Sequence, residues 1–78
     1  MMPQPLESTS VDICAFALLK DLAALDAGIE DPQARLAVVR SAIESIEILE
    51  KNEGGPLGAD RVAAIGTALR AEEGKLSC

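Results

Sequence analysis

The stretch LDAGIEDPQARL, residues 25–36, separates two helices and thereby sets the fold. Gly28 suits the left-handed position that commonly follows the C-terminus of a helix. Asp31 followed by Pro32 is typical of a helix start, because the aspartate caps a free backbone N–H and proline needs no hydrogen bond at the first helical position. Since only residues 28–31 remain for the connection, we expect the flanking helices to pack as an antiparallel hairpin.

Apolar residues on both sides of this stretch recur three or four positions apart, which predicts amphipathic helices. The first helix is predicted over about residues 10–27, with Thr9 as its N-cap. The second is predicted over about residues 32–52 and the third over about residues 59–73, with Gly74 as the C-cap of the third. The sequence therefore predicts a small all-α protein with three helices.

Residues 1–8 are expected to be a flexible leader, and residues 9–78 a single helical domain. A chain of 78 residues buries a smaller share of its surface than a larger protein does. Because the predicted core contains medium-sized aliphatic side chains and no large ring, we expect a homodimeric helical bundle to complete it. The predicted core residues of the first helix and the link after it are Val11, Ala15, Leu18, Leu22, Leu25 and Ile29. Those of the second helix are Leu36, Val39, Ile43 and Ile46, with Val38, Ala42 and Leu49 beside them. Those of the third are Val62, Ile65 and Leu69, a stripe that Leu76 could continue.

The composition excludes several classes of function. Seven Lys and Arg against thirteen Asp and Glu give a net charge of −6, whereas binding to nucleic acid or to an anionic membrane requires clustered cations. The sequence has no histidine, so it lacks the commonest general base and metal ligand. Phe16 is the only aromatic residue, too few for base stacking. We expect no enzyme activity, no cofactor, no metal site, and no direct contact with nucleic acid or membrane.

The two cysteines, Cys14 and Cys78, predict neither a disulfide framework nor a zinc site. Cys14 lies in an apolar helical run, where a free cysteine behaves as a small hydrophobic residue. No secretory signal is apparent, and no stretch approaches the ~18 apolar residues that a membrane-spanning helix requires. We therefore expect a cytoplasmic location.

Large apolar side chains also point away from the predicted core stripes: Ile13, Phe16 and Leu19 on the first helix, and Ile48 on the second. In a monomer these side chains would face water, and exposed apolar patches commonly mark an interface. Either the third helix covers the patch on the first helix, or a second copy of the chain or a partner's helix binds there. We predict that these residues bind a protein partner.

A row of acidic residues spaced three apart lies near the end of the second helix: Glu44, Glu47, Glu50 and Glu53. Successive positions rotate by about 60°, so the four carboxylates cannot converge on one ion. Three further carboxylates are expected at the same pole of the molecule: Glu7, Asp12 and Asp60. Arg61 is expected to pair with Glu50 or Glu53. The row is either a solvated face, a docking surface for a basic protein or a Mg²⁺ site, and we include it among the predicted partner-binding residues.

Together these features predict a small, acidic regulator or inhibitor that binds a protein partner through its helical surface. Two alternatives are open. One is an acidic inhibitor of the phage type, which competes with nucleic acid for the basic groove of a DNA- or RNA-binding protein. The other is a Mg²⁺-dependent, phosphohydrolase-like helical enzyme.

Overall fold

Three α-helices and one 3₁₀ turn form the fold of residues 6–77, the part of the chain that the computed structural model describes. Helix α1 spans Leu6–Ala27, α2 spans Pro32–Lys51, the 3₁₀ turn spans Gly55–Leu57, and α3 spans Ala59–Ser77. No strand occurs in this range, so the expected all-α class is confirmed. Within the same residues, no helix is both long enough and apolar enough to cross a membrane.

Helix α1 starts earlier than the sequence predicts. It begins at Leu6 rather than near Ser10, so Thr9 lies inside the helix and does not occupy its N-cap. Leucine and glutamate at positions 6 and 7 favour helix, which explains why the helix extends into the segment expected to be a flexible leader. Residues 1–5, the remainder of that segment, lie outside the described residues.

The junction between α1 and α2 has the caps that its sequence predicts. Gly28 adopts a φ of 97°, and its N–H donates to the carbonyl of Leu25 at 3.2 Å. The Asp31 carboxylate accepts a hydrogen bond from the N–H of Gln33 at 3.1 Å, with Pro32 in the first turn of α2. Because both helix ends are satisfied locally, the short connection fixes where α1 stops and α2 starts.

A glycine-rich turn connects α2 to α3. Gly54 has a φ of 84°, and its N–H donates to the carbonyl of Leu49 at 2.7 Å, which closes the end of α2. A Cβ at Gly54 would collide with the backbone of Gly58. The carbonyl of Gly58 accepts from the N–H of Val62 at 3.1 Å and so forms the first hydrogen bond of α3. The turn therefore holds its compact path only with glycine at position 54.

The core is one cluster to which all three helices contribute. Helices α1 and α3 each pack against α2, and within residues 6–77 they make no extensive contact with each other. The 3₁₀ turn closes one end of the core, where Val11 and Leu49 lie against Gly55. The buried apolar residues are Val11, Ala15, Leu18, Val39, Ala42, Ile46, Leu49, Val62 and Leu69.

Close packing of α3 on α2 depends on Gly66. This glycine is buried, and a Cβ built on it would lie 3.0 Å from Cγ2 of Ile46 and 3.2 Å from a guanidinium nitrogen of Arg70. Contacts that short force the neighbouring atoms to move. The absence of a side chain at position 66 therefore lets the two helices approach each other.

Helix α3 ends later than the sequence predicts. It continues through Gly74 to Ser77, instead of ending near Glu73 with Gly74 as its C-cap. Leu76, in the added turn, packs against the core. Nε of Arg40 also donates to Glu73 Oε2 at 3.2 Å, which ties the last turns of α3 to α2. These contacts offset the cost of a glycine within a helix, about 1 kcal/mol relative to alanine.

Candidate protein-binding surface

The outward side of α1 is apolar and exposed. Ile13, Phe16 and Leu19 are 62%, 72% and 50% exposed, and we call these three residues the α1 face. The opposite side of the same helix packs into the core through Val11 and Leu18. Of the alternatives for this patch, coverage by the third helix does not occur, because the three side chains are exposed and α3 packs against α2. Helix α1 therefore has large apolar side chains on two sides, and the residues that the structure describes cover only one of these sides.

Phe16 is the centre of the α1 face, and its helical neighbours are symmetric about it. The residues three positions away on either side, Ile13 and Leu19, are both apolar and exposed. The residues four positions away, Asp12 and Lys20, are exposed and carry opposite charges. Because these positions surround residue 16 on one side of a helix, Phe16 has one apolar and one charged neighbour in each direction along α1.

The outward side of α2 places one apolar side chain among charges. Ile48 is partly exposed, and Glu44, Glu47 and Lys51 are exposed near it. We call these four residues the α2 face, because their spacing places them on one side of the helix. An apolar side chain among charged ones is the arrangement found where an interface core meets its polar rim.

Glu50 belongs to the acidic row in the sequence, but its side chain forms an ion pair between α2 and α3. The two guanidinium NH groups of Arg70 donate to its two carboxylate oxygens at 3.0 and 3.3 Å. These hydrogen bonds, together with the charge of Arg70, hold the pKa of Glu50 below its usual value, and the same contacts raise the pKa of Arg70. Sequence reasoning expected Arg61 as the partner of Glu50, and this expectation is corrected: the partner is Arg70.

Glu53 is separated from the rest of the row by the end of the helix. Helix α2 ends at Lys51, and Glu53 lies in the following turn with a φ of 57°. Arg61 makes no ion pair with Glu53 or with any other carboxylate of residues 11–77. Of the four glutamates in the row, only Glu44 and Glu47 remain on one exposed helical side.

A shallow depression lies between α2 and α3, beside Glu47 and Glu50 of the acidic row. Its volume is about 500 Å³, and Glu47, Glu50, Lys51 and Arg70 line it. Two carboxylates face two cations here, so the depression has no excess of negative charge. In the described part of the chain, no three His, Cys, Asp or Glu side chains lie close enough together to hold a metal ion.

Two more ion pairs between α2 and α3 were not predicted. Nε of Arg35 lies 3.1 Å from Glu72 Oε2, although its N–H is poorly aligned for a hydrogen bond, and Arg40 pairs with Glu73. Pairs such as these depend on how one helix is placed along the other, which the period of the apolar residues does not determine. The symmetry around Phe16, by contrast, is visible in the sequence as positions i±3 and i±4.

Two predictions about the acidic pole remain predictions. Asp12 is exposed in the second turn of α1 and Asp60 in the first turn of α3, and that they join the glutamates of α2 at one pole stays a prediction. The side chain of Glu7 lies outside the described residues. Comparison with known proteins gives no further guide: no protein family, no curated protein and no solved structure matches this chain.

Proposed function

We propose that this chain is a small acidic regulator or inhibitor that acts by binding other protein chains through its helical surface, without enzymatic activity. The observation that carries the proposal is the exposure of Phe16, the only aromatic residue, at the centre of the α1 face. Aromatic and large aliphatic side chains supply most of the binding energy in protein interfaces. The α2 face, with Ile48, is the second part of the proposed binding surface.

The α1 face supports a binding role by its energetics. Fully burying a leucine, isoleucine or phenylalanine side chain contributes about 1.5–3 kcal/mol. Since each side chain of the α1 face is at least half exposed, a protein that covers them recovers roughly 1–2 kcal/mol from each. The gain from each side chain is therefore comparable to the binding energy lost when one hot-spot residue of an interface is removed, which is about 2 kcal/mol or more.

The α2 face supports a basic partner. Glu44 and Glu47 are exposed, and the whole chain carries a net charge of −6. Opposite charges on a partner speed its association and orient it, while Ile48 contributes apolar contact. We assign Glu44, Glu47 and Ile48 to this contact and leave Glu50 out of it, because the carboxylate of Glu50 is occupied by Arg70.

A homodimer in the cytoplasm is part of the proposal. The short link between Gly28 and Asp31, and the contact of Val11 with the turn that follows α2, support an antiparallel hairpin of α1 and α2. A chain of this size with apolar residues on two sides of one helix is expected to complete its core by association. The absence of a disulfide framework in the sequence supports the cytoplasm as its compartment.

The acidic-inhibitor alternative has less support than a mixed apolar and acidic contact. Competition with nucleic acid requires an extended negative surface that fits a basic groove. Here Glu50 is paired with Arg70, and Glu53 lies in the turn beyond α2. A Mg²⁺-dependent enzyme has still less support, because the carboxylates of the described residues do not converge.

The test compares two variants with the same change in charge. The full-length chain, Glu44→Lys/Glu47→Lys and the control Asp26→Lys/Glu30→Lys are each used to capture proteins from an extract of the source organism at low and high salt. We expect one partner to bind the parent and the control, to be lost at high salt and to be lost with the α2-face variant. Purified partner is then titrated against all three proteins. If no bound protein distinguishes the two variants, the proposed role of the α2 face is refuted.

A further inference from the structure

We propose that the α1 face is covered by α1 of a second copy of this chain, with the two helices antiparallel and the two Phe16 rings next to the two-fold axis. This inference rests on the proposed protein-binding role of the α1 face and names its occupant. The α2 face remains outside this contact as the surface for a different protein.

The first argument is the arrangement of apolar side chains around Phe16. In an antiparallel pair of α1 helices whose two-fold axis passes by residue 16, a residue that precedes residue 16 in one copy lies opposite the residue that follows it by the same number of positions in the other copy. Ile13 of one copy therefore lies at the level of Leu19 of the other, and both are large, apolar and exposed. The three side chains of each α1 face thus meet three side chains of matching size, as a self-complementary interface requires.

The second argument is charge. The same axis brings Asp12 of one copy to the level of Lys20 of the other, and the reverse, so that two pairs of opposite charge flank the apolar centre. A parallel pair would instead place Asp12 beside Asp12 and Lys20 beside Lys20. Like charges at an interface disfavour that arrangement and so set the orientation.

Complementary charges matter more in this protein than in a neutral one. Each copy carries a net charge of −6, so two copies repel each other at long range. Lys20 is the only cation in the described part of α1, and it lies one helical turn from Phe16. In the described part of α1, Lys20 is therefore the positive charge that a second acidic chain meets beside the α1 face.

Disulfide cross-linking tests the antiparallel arrangement directly. Both native cysteines are first replaced, by Cys14→Ala and Cys78→Ser, in the full-length chain. Ile13→Cys and Leu19→Cys are then introduced separately and oxidised alone or as an equimolar mixture. We expect the mixture to form a cross-link between the two different variants and each variant alone to form little. Efficient cross-linking of each variant alone would indicate a parallel pair and overturn the proposal.

Charge reversal provides an independent test by analytical ultracentrifugation. Asp12→Lys and Lys20→Asp are each expected to weaken the dimer, and the double variant Asp12→Lys/Lys20→Asp is expected to restore it, since the two charges exchange places. Glu30→Lys, away from the α1 face, changes the net charge by the same amount as Asp12→Lys and is its control. Phe16→Ala is expected to weaken the dimer about 100-fold, because one ring is lost from each copy.

The outcomes separate this inference from the proposed function. A parent chain that remains monomeric at all concentrations refutes the antiparallel dimer, whether or not it binds another protein through the α2 face. A dimer whose affinity is unchanged by Phe16→Ala and by charge reversal refutes the assignment of the contact to α1. If the dimer forms as proposed but no protein binds the parent chain in a way that depends on the α2 face, only the proposed function is refuted.

Discussion

Arg70 on α3 donates hydrogen bonds to both carboxylate oxygens of Glu50 on α2, and this pair decides which acidic residues remain available to a partner. A two-point contact between a guanidinium and a carboxylate has a fixed geometry, which a single charge contact lacks. Glu50 is thereby held against α3, while Glu44 and Glu47 extend from the outward side of α2. Four glutamates that are evenly spaced in the sequence therefore have different surroundings in the fold.

The pair makes a prediction about pH. Because Arg70 lowers the pKa of Glu50, the pair stabilises the folded state above the pKa that Glu50 has in the unfolded chain. That stabilisation is lost as the pH falls through the lower, folded-state pKa. Carboxylate NMR titration should show the pKa of Glu50 rising in Arg70→Gln. Arg61→Gln removes the same charge without touching Glu50, so an equal rise there would contradict the assignment.

Two alanine substitutions on α1 should separate core from surface. Leu18 is fully buried, so Leu18→Ala should lower the free energy of unfolding by about 2–5 kcal/mol. Phe16→Ala, on the exposed side, should change the unfolding of the monomer by no more than about 0.5 kcal/mol. Thermal melts at several protein concentrations provide the measurement. Tm should rise with concentration in the parent and not in Phe16→Ala, because association stabilises only the parent.

Two glycines of α3 should respond oppositely to alanine. The extra methyl at Gly66 would be tight against side-chain atoms of Ile46 and Arg70, which would have to shift by a few tenths of an ångström, so we expect Gly66→Ala to destabilise the fold by about 1–3 kcal/mol. Gly74 has open space around its Cα, so Gly74→Ala should stabilise it by about 0.4–1 kcal/mol. Urea unfolding followed by circular dichroism measures both. A destabilising Gly74→Ala would mean that α3 does not extend past Glu73.

The cap of α2 should also be measurable. The Asp31 carboxylate accepts from the N–H of Gln33, and replacing such a cap with alanine costs about 1 kcal/mol. Asp31→Ala should lower the free energy of unfolding by that amount. Asp31→Asn retains a side-chain oxygen and should cost much less. Equal effects of both substitutions in urea unfolding would show that the charge, and not the cap, is what matters.

The sequence predicts the helices well where a local interaction fixes them. Gly28 and Asp31 carry the signals for one helix end and one helix start within their own side chains and backbones, and the structure has both. The end of α3 was harder to predict, because the signal at Gly74 is opposed by Leu76 and Glu73, which contact other helices. Local rules do not include such contacts.

The candidate surface could be predicted in part. The exposure of Ile13, Phe16 and Leu19 follows from helical periodicity, because they lie opposite the core side of α1. The ion-pair partner of Glu50 could not be predicted, because it depends on which residue of α3 lies next to Glu50 when the two helices pack. The arginine expected there, Arg61, is near Glu50 in sequence, whereas the actual partner lies further along α3.

The central place of α2 has a consequence for how the molecule loses its structure. Since α1 and α3 of the described chain each contact α2 far more than they contact each other, we expect either outer helix to detach from α2 while the other stays packed. Amide exchange should be slowest in α2, which belongs to both interfaces, and faster in the outer helices. A helix that detaches in this way exposes its apolar side without unfolding the rest of the chain. Unfolding of α1 is then coupled to unfolding of α3 only through α2, so a change that loosens α2 should weaken this coupling.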